Sequence, residues 1–338
     1  MEALHRGRQS VVFPNRPVIR AWASVVGKKE GEGPLGAAFD RVIPDAKYGE
    51  KTWEQAETAF QQTALELLLE KAALNRSDLD LVLSGDLLNQ CVGSSYALRR
   101  TGIPALGLYG ACSTMAEGLL LAGAAANSNY VNHAAALSSS HFAAAERQYR
   151  FPLAYGGQRT PTAQWTVTGA GAVLVSRSGR GPALTAATVG TVEDKGITDA
   201  NNMGAAMAWA AYRSIRAHLE DLSLAPEAYD LIVTGDLGRL GSEIVRECFA
   251  GDGVRLASRY TDCGLRVYDI DRQDAHCGGS GAGCSAAVLA AELLPGLQAG
   301  RWKRLLFCGT GALLSPTTVQ QKRSIPAVCH CVTIEGDR

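Results

Sequence analysis

The chain has 338 residues, 46% of them hydrophobic and 20% charged, with 33 basic residues set against 33 acidic ones. A net charge of zero argues against nucleic acid as the main partner, and the apolar fraction and length suit one large core or two medium-sized domains. No charge-free apolar run of roughly 18 residues is visible, so no membrane-spanning helix is expected. The opening MEALHRGRQSVVFPNRP lacks the apolar stretch of a secretory signal, which fits an intracellular protein.

Residues 1–50 are rich in glycine and proline, with one β-like segment from Val18 to Val26 and a charged loop, KKEGEGP, at 28–34. Thr52 is placed to cap a helix running to about Leu74, with Ala56, Ala59, Phe60, Ala64, Leu67, Leu68 and Ala72 on its apolar face. A β-run from Leu79 to Ser84 ends in Gly85-Asp86, and Asn89 to Arg100 reads as a short helix. Then comes the stretch LGLYGACSTMAEGLLLAGAAANSNYVNHAAALSSSH (106–141): a glycine-punctuated run, a small-residue helix from about Ser113 to Ala126, a polar turn and a buried strand to Ser139. A helix apolar on all sides must be internal. Cys112 opens that helix, where free N–H groups lower a thiol pKa or hold an anion.

The second part of the chain repeats the first. DLVLSGDL (80–87) matches DLIVTGDL (230–237) without a gap, and Ala111-Cys112-Ser113 matches Gly283-Cys284-Ser285. A small-residue helix and then a strand follow in each copy, HAAALSSS at 133–140 and RLLFCGTG at 304–311. Closing strands follow at 169–176 and 325–332. The chain therefore reads as two halves, 1–180 and 181–338, joined near Ser178 to Pro182 and packed as one unit. Repeated strand–helix units imply parallel or mixed sheets covered on both faces. The nine cysteines contain no CxxC pair; Cys91, Cys112, Cys277, Cys284, Cys308 and Cys329 lie in apolar or glycine-rich surroundings, as reduced buried thiols do. Cys329 and Cys331 share a strand face without a second ligand pair, so they are read as core, and no metal site is expected.

The duplication with a cysteine at the first central helix resembles the thiolase and β-ketoacyl synthase superfamily. A closer resemblance covers nearly the whole chain: GPLGAAFD (33–40), SGDLLNQ (84–90), GIPALGLYGACSTMAEG (102–118), SSSHFAAAERQYRFPLAYGGQ (138–158), TVTGAGAV (166–173), GITD (196–199), TGDLGRLGS (234–242) and GALLSPTTVQQK (311–322) together are similar to the stage V sporulation protein AD family. The resemblance implies a thiolase-like five-layered αβαβα sandwich built from two duplicated halves. It further implies binding of dipicolinic acid (pyridine-2,6-dicarboxylate), free or as its Ca²⁺ chelate, and a part in loading the developing spore alongside small membrane proteins. The expected place is peripheral at the forespore or spore inner membrane, with no cofactor beyond that Ca²⁺ and a homodimer possible.

An acyl-transfer enzyme of the superfamily needs imidazole or amide groups from the second half to activate the thiol and hold an oxyanion. Thiolases carry an Asn-Glu-Ala-Phe type and a Gly-His-Pro type motif. Here these positions fall in Thr234-Gly235-Asp236-Leu237 and Cys277-Gly278-Gly279-Ser280-Gly281, without Asn or His at the expected places. Cys112 is therefore expected to be a vestigial nucleophile in a surviving pocket. Candidate ligand-binding residues are Asp86, Asn89, Cys112, Ser113, His141, Arg150, Gln158, Asp236, Gly278, Cys284, Ser285 and Cys308, with Arg159 beside them. Asp86 and Asp236 are expected either to cap backbone N–H groups or to bridge a cation. The rival readings are an acyl-CoA-dependent condensing or acyl-transfer enzyme using Cys112, and a scaffold that docks on membrane partners without a ligand.

Overall fold

The computed structural model describes residues 4–149 and 159–337. Its two halves are built on one strand order. In the first, Val18–Gly27 pairs antiparallel with Gly169–Ser176, which pairs antiparallel with His133–Ser140; Leu81–Gly85 and Ala105–Gly107 follow, parallel to it and to each other. In the second, Ala183–Thr188, Ala327–Glu335, Arg304–Ala312, Leu231–Thr234 and Tyr260–Asp262 stand in the same sequence with the same parallel and antiparallel senses. The sheets meet at one antiparallel pair, Ala183 with Val18.

The matched octapeptides share a physical job at their first residue. Asp80 accepts the backbone N–H groups of Asn132 and His133 at 2.6 and 3.0 Å, while Asp230 accepts those of Lys303 and Arg304 at 2.6 and 3.0 Å. Each aspartate pins the start of the parallel strand beside its own. They sit at corresponding sheet positions, which is why the repeat survives as sequence identity.

Five layers follow from which strand faces are apolar. The helix Trp53–Ala72, capped reciprocally by Thr52 and Gln55, packs Phe60, Ala64, Leu65 and Leu68 on one face of the first sheet. Between the sheets lie the helix Thr114–Asn127 and the helical run 282–298, which carries one π-turn at Leu289–Leu293. Met115, Ala116, Leu119 and Ala126 meet inward residues of both sheets, Leu83, Ala136 and Val173 on one side and Val233, Phe307 and Val332 on the other. Met203–Asp221 and Gly238–Gly251 cover the far side of the second sheet. Small residues set this spacing: a Cβ at Gly309 would come within 2.6 Å of Ala116 Cβ, and one at Gly171 within 2.5 Å of the Ala286 backbone.

Expected elements shift in a few places. The segment YRSIRAHLEDL (212–222) belongs to a longer helix that begins at Met203, because Ala206, Ala210 and Ala211 continue its buried stripe. The second central helix starts at Ala282, ahead of Cys284. The charged loop at 28–34 contains a single helical turn, Lys28–Gly31, whose Glu30 is buried; it accepts the Thr168 N–H at 3.0 Å and the Tyr268 hydroxyl, tying the two halves together. Among the described residues no helix is long and apolar enough to cross a membrane.

Glu57, on the first outer helix, is also buried. One carboxylate oxygen accepts the Ser139 hydroxyl at 2.8 Å and the other has no partner. Burial, and then the nearby Asp86 charge, hold its carboxyl well above the ordinary glutamate range, so the folded state holds this proton to higher pH than the unfolded chain does. A raised folded-state pKa stabilises most below the unfolded value and is lost as pH rises through the folded value. Glu57→Gln is therefore expected to flatten the fall of stability with rising pH, removing up to ~1.4 kcal/mol per pH unit from the slope in that window. Urea unfolding of both proteins across a pH series checks it.

Candidate functional site

The first central helix is entered by a turn that the chain makes under local strain. Ala111, just before Cys112, has φ of 52°, a left-handed conformation unfavourable for a residue with a Cβ. Ser113 and Thr114 hydroxyls donate back to the carbonyls of Gly110 and Ala111, each at 2.7 Å, and hold the turn. The Cys112 thiol is thereby turned toward the second half, where it meets Asp236.

Asp236 is fully buried. One of its carboxylate oxygens accepts the Thr310 hydroxyl at 2.8 Å; the other accepts the Gly281 N–H at 3.0 Å and the Ser280 hydroxyl at 3.1 Å. Gly281 immediately precedes the second central helix, so the anion position at that helix start is filled by the protein's own carboxylate. A second N–H at that helix start, from Gly283, is taken by the Ser140 hydroxyl at 3.0 Å. The Cys112 thiol stands near Asp236, and burial followed by that carboxylate's charge pushes the thiol well up, while the Gly281 N–H and Ser280 hydroxyl only partly offset it. Burial likewise raises Asp236.

A narrow cavity opens above Cys112, with about 40 Å³ of water-accessible space, enough for a few waters. Its walls are mainly apolar, from Leu87, Ala145, Met203 and Leu314, with Thr166, Ser280 and Tyr149 supplying hydroxyls and Glu146 a carboxylate. The Tyr149 hydroxyl donates to the Leu87 carbonyl at 2.6 Å. Both halves thus contribute walls, and among the described lining residues there is no Lys or Arg.

Several expected site residues stand elsewhere. Asp86 is a backbone cap: it accepts the Leu88 N–H at 2.9 Å and both the N–H and hydroxyl of Ser94 at 2.7 Å, fastening the short helix Val92–Leu98. His141 is a core histidine. Its ring contacts the Ala46 carbonyl at 2.7 Å and packs beside Trp53 and Phe60, and burial lowers its pKa. Cys308 lies on the outer face of its strand, in the core under Met203–Asp221, because strand alternation sends Phe307, not Cys308, toward the central helices. Cys284 and Ser285 are wholly buried in the second helix, and Gly278 serves as a turn with φ of 117° whose carbonyl accepts the Trp165 N–H. None of these lines the Cys112 cavity. Asn89 borders a separate shallow groove with Arg147 and Gln148. Ser113, behind Cys112, is buried and spends its hydroxyl on Gly110. Arg150 and Gln158 lie outside the described residues. Arg159 donates to the carbonyls of Gln164 and Asp274 and stacks on Trp165.

The imidazole question can be answered residue by residue, since the chain has six histidines. His276 contacts the Thr160 carbonyl and Asp274, His133 meets Ser176, His330 takes the Gly190 N–H, and His218 lies among Thr188, Tyr229 and Thr333. His141 is at Ala46 and His5 is exposed on an N-terminal strand. None is placed against Cys112. Sequence reading missed Tyr149, Glu146, Met203 and Leu314 as wall residues, for they carry no motif and meet only through the fold.

The sequence profile of the family described as Stage V sporulation protein AD (SpoVAD) matches residues 7–335. A relative from Bacillus subtilis (strain 168), Stage V sporulation protein AD, is 43% identical over 329 residues, 97% of each chain. The chain therefore belongs to this sporulation family. Solved structures with a similar fold include an OleA variant of Xanthomonas campestris (14% identity, 96% and 99% of the two chains, TM-score 0.59) and 3-oxoacyl-[acyl-carrier-protein] synthase III of Aquifex aeolicus VF5 (14% identity, 94% and 99%, TM-score 0.56). These establish the thiolase-like fold.

Because Asp236 suppresses the thiolate, Asp236→Asn is expected to make Cys112 alkylate faster, by ~10-fold near pH 8 if one unit of pKa is recovered. The rate of iodoacetamide labelling of Cys112 against pH, read by peptide mass, checks this; an unchanged profile would show that the carboxylate does not govern the thiol.

Proposed function

We propose that this stage V sporulation protein AD family member is a non-catalytic binding protein for dipicolinic acid, acting in the acid's passage into the developing spore together with small membrane proteins. The observation that carries the non-catalytic part is the Asp236 carboxylate against Cys112. A nucleophilic cysteine needs a neighbouring base or cation that favours its thiolate. This one has an acceptor that favours the thiol, and two N–H donors at the start of the second helix, those of Gly281 and Gly283, are already spent on Asp236 and Ser140.

The ligand assignment rests on the family resemblance and on the pocket's composition. Apolar walls from Leu87, Ala145, Met203 and Leu314 suit the faces of a pyridine ring, and the Thr166 hydroxyl suits a carboxylate oxygen, while those of Tyr149 and Ser280 would have to leave Leu87 and Asp236 to donate to one. The charge pattern favours the Ca²⁺ chelate over the free dianion, since Glu146 and Asp236 repel a bare dicarboxylate and a bound cation neutralises it. A ring does not enter 40 Å³ of water space, so uptake on this reading includes displacement of the wall formed by Met203 and Leu314. An acyl-transferring enzyme built on Cys112 is the rival, and the fold alone allows it.

Incubation with an acyl-CoA followed by intact mass is expected to show no acyl adduct on the wild type, and isothermal titration is expected to show binding of dipicolinate with Ca²⁺ more tightly than without. An adduct that disappears in Cys112→Ala would establish the enzyme instead. As a backbone cap, Asp86 is expected to act on stability alone: Asp86→Asn costs about 1–3 kcal/mol in denaturant unfolding and leaves the titrated affinity of the folded protein unchanged.

A further inference from the structure

Three of the nine cysteines form a cluster that the pocket does not use. Cys308 stands directly opposite Cys331 in the antiparallel register of Arg304–Ala312 with Ala327–Glu335, and Cys329 follows on the same face opposite Thr310. All three are fully buried in the core beneath Met203–Asp221, and the Cys308 thiol donates to the Leu306 carbonyl at 3.7 Å. No group of three His, Cys, Asp or Glu side chains among the described residues converges on a metal position.

Directly opposed residues on antiparallel strands have Cα atoms about 4.5 Å apart in one pair type and about 5.5 Å in the other. Both spacings fall inside the roughly 4.4–6.8 Å range that a disulfide spans. Cys329 and Cys331, two apart along one strand, are about 6.6 Å apart, near the top of that range and with parallel rather than converging Cβ directions. Cys308 and Cys329 are diagonal neighbours, about 7–8 Å apart and beyond that range, so register singles out one pair of the three. We propose that Cys308 and Cys331 are an oxidation site, at which a peroxide-class oxidant converts the reduced pair into a cross-strand disulfide.

The step balances with hydrogen peroxide as the co-reactant. One thiol sulfur attacks the O–O bond, becomes a sulfenic acid and releases water; the second thiol displaces the sulfenic hydroxyl as another water and forms the S–S bond. Two electrons leave the sulfur pair and two peroxide oxygens end as water. Burial holds both thiols well above their ordinary range, so the step on this proposal runs in a locally opened strand pair, where water takes the thiol proton and the thiolate meets peroxide. The bond would staple the closing strand of the second half to the strand beside it, under the helix whose first residue, Met203, lines the cavity.

The full chain is treated with hydrogen peroxide under native conditions, then alkylated in denaturant and weighed. The expected result is a loss of two hydrogens, two fewer of the nine thiols alkylated, and a peptide containing Cys308 joined to the C-terminal peptide. Cys329→Ser is expected to keep this cross-link and Cys331→Ser to lose it. Cys331→Ala replaces the serine variant if near-ultraviolet circular dichroism shows that serine unfolds the core. Nine free thiols in oxidised native protein, a cross-link between other cysteines, or one that persists in the Cys331 variant would each overturn the proposal.

Discussion

The structure around the pocket depends on one buried carboxylate. Asp236 holds the strand end at Thr310, the start of the second central helix at Gly281, and the thiol at the start of the first. Its own backbone carbonyl accepts the Gln164 side chain at 2.6 Å, which also bonds Gly279. A buried charge is tolerable only where donors converge on it, so four segments must arrive together for any one of them to be correctly placed. The same convergence fixes the chemistry available: a helix start that would otherwise stabilise an incoming anion is neutralised from within.

The two halves show how a duplicated frame separates from its site. Asp80 and Asp230 keep the same two N–H partners, because pinning a parallel strand is needed in both sheets. Asp86 and Asp236 occupy matched positions yet do different work. Asp86 closes a local turn with Leu88 and Ser94, while the turn after Asp236 is held by Asp262, which accepts the Leu237 and Gly238 N–H groups at 2.9 Å. Relieved of capping, Asp236 reaches across to Cys112. Burial holds Asp262 up at about 7, a further sign that carboxylates here are kept from water.

The frame was legible in the sequence for a physical reason: the repeated strands and small-residue helices are constrained by close packing, which limits what residues can stand there. The octapeptides, the Cys-Ser pair and the closing strands all identify corresponding elements. The pocket was less legible. Which side of a strand Cys308 faces follows from alternation, yet its apparent neighbourhood in the chain pointed to the cavity. His141 looked like a donor because it ends a strand, and only the packing of Trp53, Phe60 and Ala46 around it makes it a core residue. Tyr149, Met203 and Leu314 come from distant segments and share no pattern that composition or spacing reveals.

The strand order also sets a schedule for synthesis. Val18–Gly27 leaves the ribosome well before its long partner, Gly169–Ser176. Until that segment emerges, the early strand can use only its short parallel contact with Arg41–Ile43. Such non-local pairing folds slowly and leaves apolar edges exposed during translation. The central helix Thr114–Asn127 waits longer still, because its second wall contains Phe307 and Val332. The nascent first half therefore carries an uncovered apolar face through most of elongation, and chaperone demand during expression should fall sharply only once the last strand, Ala327–Glu335, is released.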